Sequence, residues 1–203
     1  IMVVAAGKEQ ITVSFRLIGA TRSTEAVNFD ESPNDYKGSE YVTWHKTKHY
    51  TIENGATVGD LFKLACDEGD IRYEGWENDY IRTIYAPESC GGYELSEFTN
   101  GQYSGWMYTL NGKHAPKSMR TQDLADGDVV IWHYANDYRY EDESTNPDSP
   151  YLGQYLKAPD RNPGETETDE EIAKPVMDMI AALPENITLA DGDAIAAARA
   201  AYD

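Results

Sequence analysis

The chain has 203 residues, 40% of them hydrophobic, and its 36 acidic side chains against 17 basic ones give a formal net charge of −19. That balance argues against nucleic-acid binding, which rests on Lys and Arg neutralising phosphates, and it disfavours an anionic membrane surface for the same reason. No run approaches the roughly 18 consecutive apolar residues that a membrane helix needs, so no membrane insertion is expected. A mean hydropathy of −0.63 leaves material for one core and a small appendage.

Residues 1–7 are apolar, but too short for a signal peptide and without its basic start. They read as the end of a leader, a linker or a first strand. With no initial Met, the chain is read as a piece of a longer protein. Gln10 to Gly19 then alternates, with Ile11, Val13, Phe15 and Leu17 on one face, which predicts a half-buried strand. Residues 20–40 lose that pattern and read as a long loop. Asp30, Ser32 and Asn34 within it mimic the start of an EF-hand, but Asp35 stands where the glycine belongs and Tyr41 where a glutamate must close the loop. Tyr41 to Ile52 is a second predicted strand with Val42, Trp44, Tyr50 and Ile52 in one register. His45 and His49, four apart in that strand, are expected to share an exposed polar face rather than to hold zinc.

Asn54-Gly55 breaks the strand, and Thr57 with Asp60 three residues later predicts a capped helix start. Leu61, Phe62, Leu64 and Ala65 form its apolar face, and Gly69 is placed to stop it. Tyr80 to Ala86 reads as another strand. Gly105 to Asn111 alternates again, with Trp106, Tyr108 and Leu110 against Met107 and Thr109, and Asn111-Gly112 is a strong hairpin signal because both positions of the turn need positive φ. Ala125 to Asp128 turns the chain into a last strand, Val129 to Tyr134. Two strands, a helix and several further strands predict an α+β fold with one helix packed across a mixed sheet.

From Asn136 the composition changes. Residues 139–167 are acidic and rich in Pro, Asn, Ser and Gly, which reads as a linker or a wrapping arm whose tyrosines (Tyr140, Tyr151, Tyr155) dock on the domain. Residues 168–203 predict a helical pair. The first helix has Thr168 and Glu171 as a capping box and Pro175 as a kink or a true first turn; the second begins near Thr188.

Two cysteines, Cys66 on the predicted helix and Cys90 after a predicted strand, permit one intramolecular disulfide where helix and sheet meet, or remain two free thiols. Chemistry-bearing patterns are otherwise scarce. The serine of Gly101-Gln102-Tyr103-Ser104-Gly105 sits one place late for a nucleophile elbow. No metal-ligand spacing of the HExxH type occurs, and no histidine lies near Cys90 in sequence. An enzyme, a cofactor and a metal centre are therefore not expected.

Three stretches together carry a family likeness: residues 50–61 with the TVGDL helix start, SGWMYTLNG at 104–112 and LADGDVVIWHY at 124–134. In order and spacing they resemble the transcobalamin C-terminal-like domain of bacterial surface proteins, over roughly two thirds of the chain. The TVGDL start is shared by many β-grasp proteins; the other two stretches are the specific part. The resemblance implies a β-grasp (ubiquitin-like) fold over residues 9–138. The stretch AALPENITLADGDAIAAARAAYD at the end resembles helical repeats of Gram-positive surface proteins and implies an extracellular, wall-attached parent protein.

Three readings of function follow. The first is a ligand- or partner-binding module for a small molecule, a glycan or a host or surface protein, with Trp76, Tyr103, Trp106 and Tyr108 as candidate contacts. Fifteen tyrosines and four tryptophans suit an adaptable recognition surface, although Trp106, Tyr108 and Leu110 also alternate as core residues must. The second is a structural spacer or adhesin without a small-molecule ligand. The third, implied by the likeness to the vertebrate relatives, is cobalamin or corrinoid binding, for which the helical half of their site is missing here. Whether the aromatics line one concave pocket or lie buried and scattered separates these readings.

Overall fold

A computed structural model describes residues 9–22, 39–144, 146–166, 173–174, 177–178 and 180–181. The chain divides into two compact units, residues 1–163 and 164–203. In the second, the described residues 173–174, 177–178 and 180–181 are helical, and Lys174 pairs with Asp178 one turn on at 3.1 Å. Pro175, the expected second helix after Thr188 and the EF-hand-like run at Asp30 lie outside the described residues. Among the described residues no helix is long and apolar enough to cross a membrane.

The first unit is a mixed α/β structure. Strand β1 (Gln10–Ala20) pairs antiparallel with β2 (Tyr41–Glu53) and parallel with β8 (Val129–Ala135). Next to β8 lies β6 (Gly105–Leu110), and β7 (Lys113–His114) completes the order β2-β1-β8-β6-β7. The turn from β6 to β7 has positive φ at both Asn111 (53°) and Gly112 (78°), as the Asn-Gly pair predicts. Helix α1 (Val58–Glu68) begins in the expected reciprocal cap: the Asp60 N–H donates to Thr57 Oγ1 at 3.2 Å and the Thr57 N–H to Asp60 Oδ2 at 2.9 Å. Gly69 follows the helix with an ordinary φ of −81°, and it is Asp70 that takes the left-handed conformation at 51°.

A second, three-stranded sheet is assembled from β3 (Tyr73–Glu74), β4 (Thr83–Tyr85) and β5 (Glu94–Ser96). The strand expected over Tyr80 to Ala86 shrinks to Thr83–Tyr85, because the chain before it is still closing a tight loop around Gly75 and Asp79, both left-handed. Strands of two or three residues are too short to show alternation in sequence.

The main core lies between the five-stranded sheet and α1. Val13, Phe15 and Leu17 of β1, Trp44 and Tyr50 of β2, and Val130, Trp132 and Tyr134 of β8 meet Val58, Leu61, Phe62 and Ala65 of the helix. Gly19 is required here, since a Cβ would lie 2.1 Å from the Trp44 ring. Cys66 and Cys90, considered above as a disulfide pair, are both free, Cys66 buried and Cys90 half-buried.

The other face of the sheet is covered too, so β1 is buried on both faces from Val13 to Ala20 rather than half-buried. The cover is the acidic segment after β8, which makes one helical turn, α2 (Tyr138–Glu141), and a 3-10 turn at Gln154–Lys157. Tyr155 and Ala158 pack on Ile18 and Ile131. Arg16, 7% exposed, donates from Nη2 to Thr43 Oγ1 at 2.8 Å and to the Ala158 carbonyl at 2.7 Å, and its Nε lies 3.3 Å from the Asp160 carboxylate. Thr43 Oγ1 in turn donates to the Pro159 carbonyl at 2.6 Å. A buried cation stripped of its partners costs several kcal/mol. Arg16→Ala, which removes the bonds to Thr43 and the Ala158 carbonyl and the pairing with Asp160, is expected to cost about 3 kcal/mol by denaturant titration. It should also move the first cleavage in limited proteolysis into residues 139–161.

Candidate functional site

The four candidate aromatics are not brought together. Trp106 is 6% exposed and lies in the main core, its ring centroid 5.4 Å from Trp44 and 5.2 Å from Tyr134. Its indole N–H donates to the Leu95 carbonyl of β5 at 2.9 Å, and Tyr134 Oη donates to the Ser96 carbonyl at 2.7 Å. Both residues therefore fasten the small sheet to the large one. Tyr108 packs on Trp132 at 5.4 Å and donates its hydroxyl to the Lys117 carbonyl at 2.6 Å; burial pushes that hydroxyl's pKa up to about 12. Tyr103, in the loop before β6, packs against the start of the arm, where the Arg139 guanidinium sits 3.5 Å from its ring centroid and Tyr138 meets it edge to face.

Trp76 is different. It opens a 3-10 turn, Trp76–Asn78, directly after Gly75, whose φ of 104° and contact with the Tyr80 carbonyl (2.0 Å from where a Cβ would lie) exclude any other residue. One edge of the half-buried indole lies against Gly59 of α1. The Arg120 guanidinium stands 4.7 Å from its ring centroid and donates from Nη2 to the Trp76 carbonyl, while Tyr73 packs edge to face at 6.3 Å. Trp76 lines an open cleft of about 580 Å³ with Lys63, Tyr73, Glu74, Asn78 and Arg82. Glu74 accepts from Tyr85 Oη at 2.7 Å and from Arg82 Nη2 at 2.5 Å, and these two bonds, Tyr85 first, hold its carboxyl below the usual range. An aromatic plate beside the cations Lys63 and Arg82, the carboxylates Glu74 and Glu77 and the Asn78 amide can bind an apolar ring face and hydrogen-bond its polar edge. Sequence reading missed Arg120, because it lies in a loop without periodicity, and Lys63, which looks like an ordinary solvated helix position.

A second polar group was also missed, on the arm side of the sheet. His133 of β8 is fully buried and stacks on Tyr155 at 3.8 Å between centroids. Glu141 of α2, 4% exposed, accepts from Tyr41 Oη, and its other oxygen lies 3.6 Å from His133 Nε2. Burial holds the Glu141 carboxyl protonated up to about pH 8, and burial followed by the neighbouring His114 keeps His133 neutral well below the ordinary imidazole range. His45 and His49, expected to share a face, do not. The register of β2 against β1 shifts beside Leu17, so His45 packs on Phe15 and Tyr50 on the helix side, while the exposed His49 pairs with Ser14, which faces the arm.

Residues 55–136 match the family model described as Domain of unknown function (DUF4430), a transcobalamin-like family. The match spans α1 to β8 and leaves β1, β2 and the arm outside it. It contains Trp76 and Trp106 as well as the SGWMYTLNG and LADGDVVIWHY stretches. No curated protein matches the chain.

Trp106→Ala is expected to cost about 3–5 kcal/mol in equilibrium denaturation, as removal of a core indole does, whereas Trp106→Phe should cost less because it keeps a ring against Trp44 and Tyr134. The buried pair on the arm side sets a pH dependence. Between the ordinary carboxyl value of 4.5 and about 8 the folded chain holds one proton more than the unfolded chain at Glu141, so stability falls as pH rises. Below the ordinary imidazole value of 6.5 the unfolded chain holds the extra proton at His133, so stability falls as pH drops, and the two oppose each other from 4.5 to 6.5. From 6.5 to 8 Glu141 acts alone, for about 2 kcal/mol. Glu141→Gln should flatten that alkaline limb in melts across this range and uncover a loss of stability, set by His133, as pH drops from 6.5 to 4.5.

Proposed function

We propose that this chain is a non-catalytic, extracellular module of a bacterial cell-surface protein of Gram-positive type, and that it binds its ligand or partner in the Trp76 cleft. The observation that carries the reading is the cleft itself. Trp76 is half-buried on the wall of a concave space lined by polar groups of both signs. A β-grasp fold is supported by the strand order β2-β1-β8-β6-β7, with β1 and β8 parallel at its centre and one helix across the sheet, together with the transcobalamin-like family match. The non-catalytic reading is supported by the two thiols. Burial raises the pKa of both Cys66 and Cys90, which keeps them from acting as thiolate nucleophiles.

The chemistry of the cleft favours a glycan or another small molecule with one apolar ring face and a hydroxylated or charged edge. A second reading, a spacer or adhesin without a small-molecule ligand, is favoured by the scatter of the other three aromatics and by the burial of Trp106 in the core. Cobalamin or a corrinoid is the lesser alternative.

Thermal-shift and tryptophan-fluorescence titrations with a glycan panel, cobalamin and corrinoids separate these readings. A glycan hit that Trp76→Ala reduces at least about tenfold, with the variant still folded by circular dichroism, is the expected outcome. Binding that survives Trp76→Ala would place the ligand elsewhere, and no shift with any compound would leave the spacer or adhesin reading.

A further inference from the structure

We propose that His114, Asp142 and Glu143 form a binding site for a divalent transition-metal ion, zinc by its donor set, which ties the arm to strand β7. The residues come from separate elements: His114 ends β7, immediately after the rigid Asn111-Gly112 turn, and the two carboxylates follow α2. One donor atom from each residue lies within 4.8 Å of the others. Bonds of about 2.0–2.2 Å to one ion need donors roughly 3–4 Å apart, so on binding Glu143 exchanges its 2.6 Å hydrogen bond to His114 Nδ1 for the ion and Asp142 draws in.

The arrangement is more than an acidic patch. The His114 side chain is only 7% exposed. Its Nδ1 points at Glu143 Oε2 at 2.6 Å, and its backbone N–H donates to Glu143 Oε1 at 2.7 Å, which fixes the carboxylate against the ring. The other ring nitrogen, Nε2, is sealed from solvent with no hydrogen-bond partner. Ligation through Nδ1 moves the ring's remaining proton to Nε2. The neighbouring His133, edge to face at 5.3 Å between centroids, likewise has both ring nitrogens buried without a hydrogen-bond partner.

The donor set selects the ion. One imidazole nitrogen with two carboxylate oxygens suits zinc, whereas calcium and magnesium prefer oxygen alone. The strongly negative chain draws cations toward the site. Three protein donors leave a position for water or for a ligand's own oxygen.

The test uses the full chain, freed of metal with a chelator and equilibrated by dialysis with zinc chloride, with total metal then measured. One zinc per chain is expected, unaffected by a tenfold excess of calcium or magnesium and accompanied by a rise in melting temperature. Asp142→Asn and His114→Ala should each weaken zinc binding at least tenfold, whereas Glu88→Gln, on an exposed 3-10 turn elsewhere, should leave it unchanged. Circular dichroism melts of the metal-free variants confirm folding, and Asp142→Asn carries the test alone if His114→Ala does not fold. Absence of stoichiometric zinc, displacement by calcium, or binding unchanged in Asp142→Asn would each overturn the proposal. The readout is independent of the Trp76 cleft, so either conclusion can fail without the other.

Discussion

The burial of Arg16 is the constraint around which the first unit is organised. β1 sits between β2 and β8 and is covered by α1 on one side and by the arm on the other. Its alternating sequence suits the helix side well, but the arm side inherits a buried guanidinium. Burial lowers that group's pKa, and the charge is tolerated because Thr43, the Ala158 carbonyl and Asp160 converge on it. Two of those three partners come from the arm. The arm is therefore part of the folded unit, and its docking and the position of Arg16 have to be satisfied together.

The aromatic residues divide their labour in a way their abundance does not reveal. One set, Trp44, Tyr93, Trp106 and Tyr134, packs ring against ring in the main core, and the hydrogen bonds of Trp106 and Tyr134 hold the small sheet against the large one. Another runs from Tyr108 through Trp132, Phe62 and Tyr73 to Trp76. That chain begins inside the domain and ends at the cleft, so the wall of the cleft is braced by the core itself. A recognition surface fixed by packing loses little conformational freedom when it binds.

The arm side of the sheet carries polar groups at a depth where water would normally be needed. His133, Glu141 and Tyr41 are sealed there, with the carboxyl protonated and the imidazole neutral. Charging either one in place would strand an ion without adequate partners. The layer thus couples the docking of the arm to protonation, while the pairing of His114 with Glu143 sits at its edge. The two sides of the sheet carry different chemistry: an aromatic cleft beyond the helix layer, and titratable groups under the arm.

The long alternating strands β1 and β2, the capped start of α1, the Asn111-Gly112 turn and the final strand could all be read from residues 10–134, because each depends on local periodicity or on a local φ requirement. The second sheet could not, since two- and three-residue strands have no period and form only where β4 finds a partner on each side. The strand bulge that parts His45 from His49 was hidden for a related reason: it depends on pairing with β1 and not on β2 alone. Of the site, residue type and spacing marked Trp76, Tyr103, Trp106 and Tyr108 as candidates. That Trp106 is a structural peg and Trp76 a cleft wall follows from packing alone, because exposure is a property of what lies opposite a side chain. The same holds for His114 and Glu143, which are 29 residues apart. Local pattern can place each of them in its own element, but only the folding of the arm over the sheet brings them to one point.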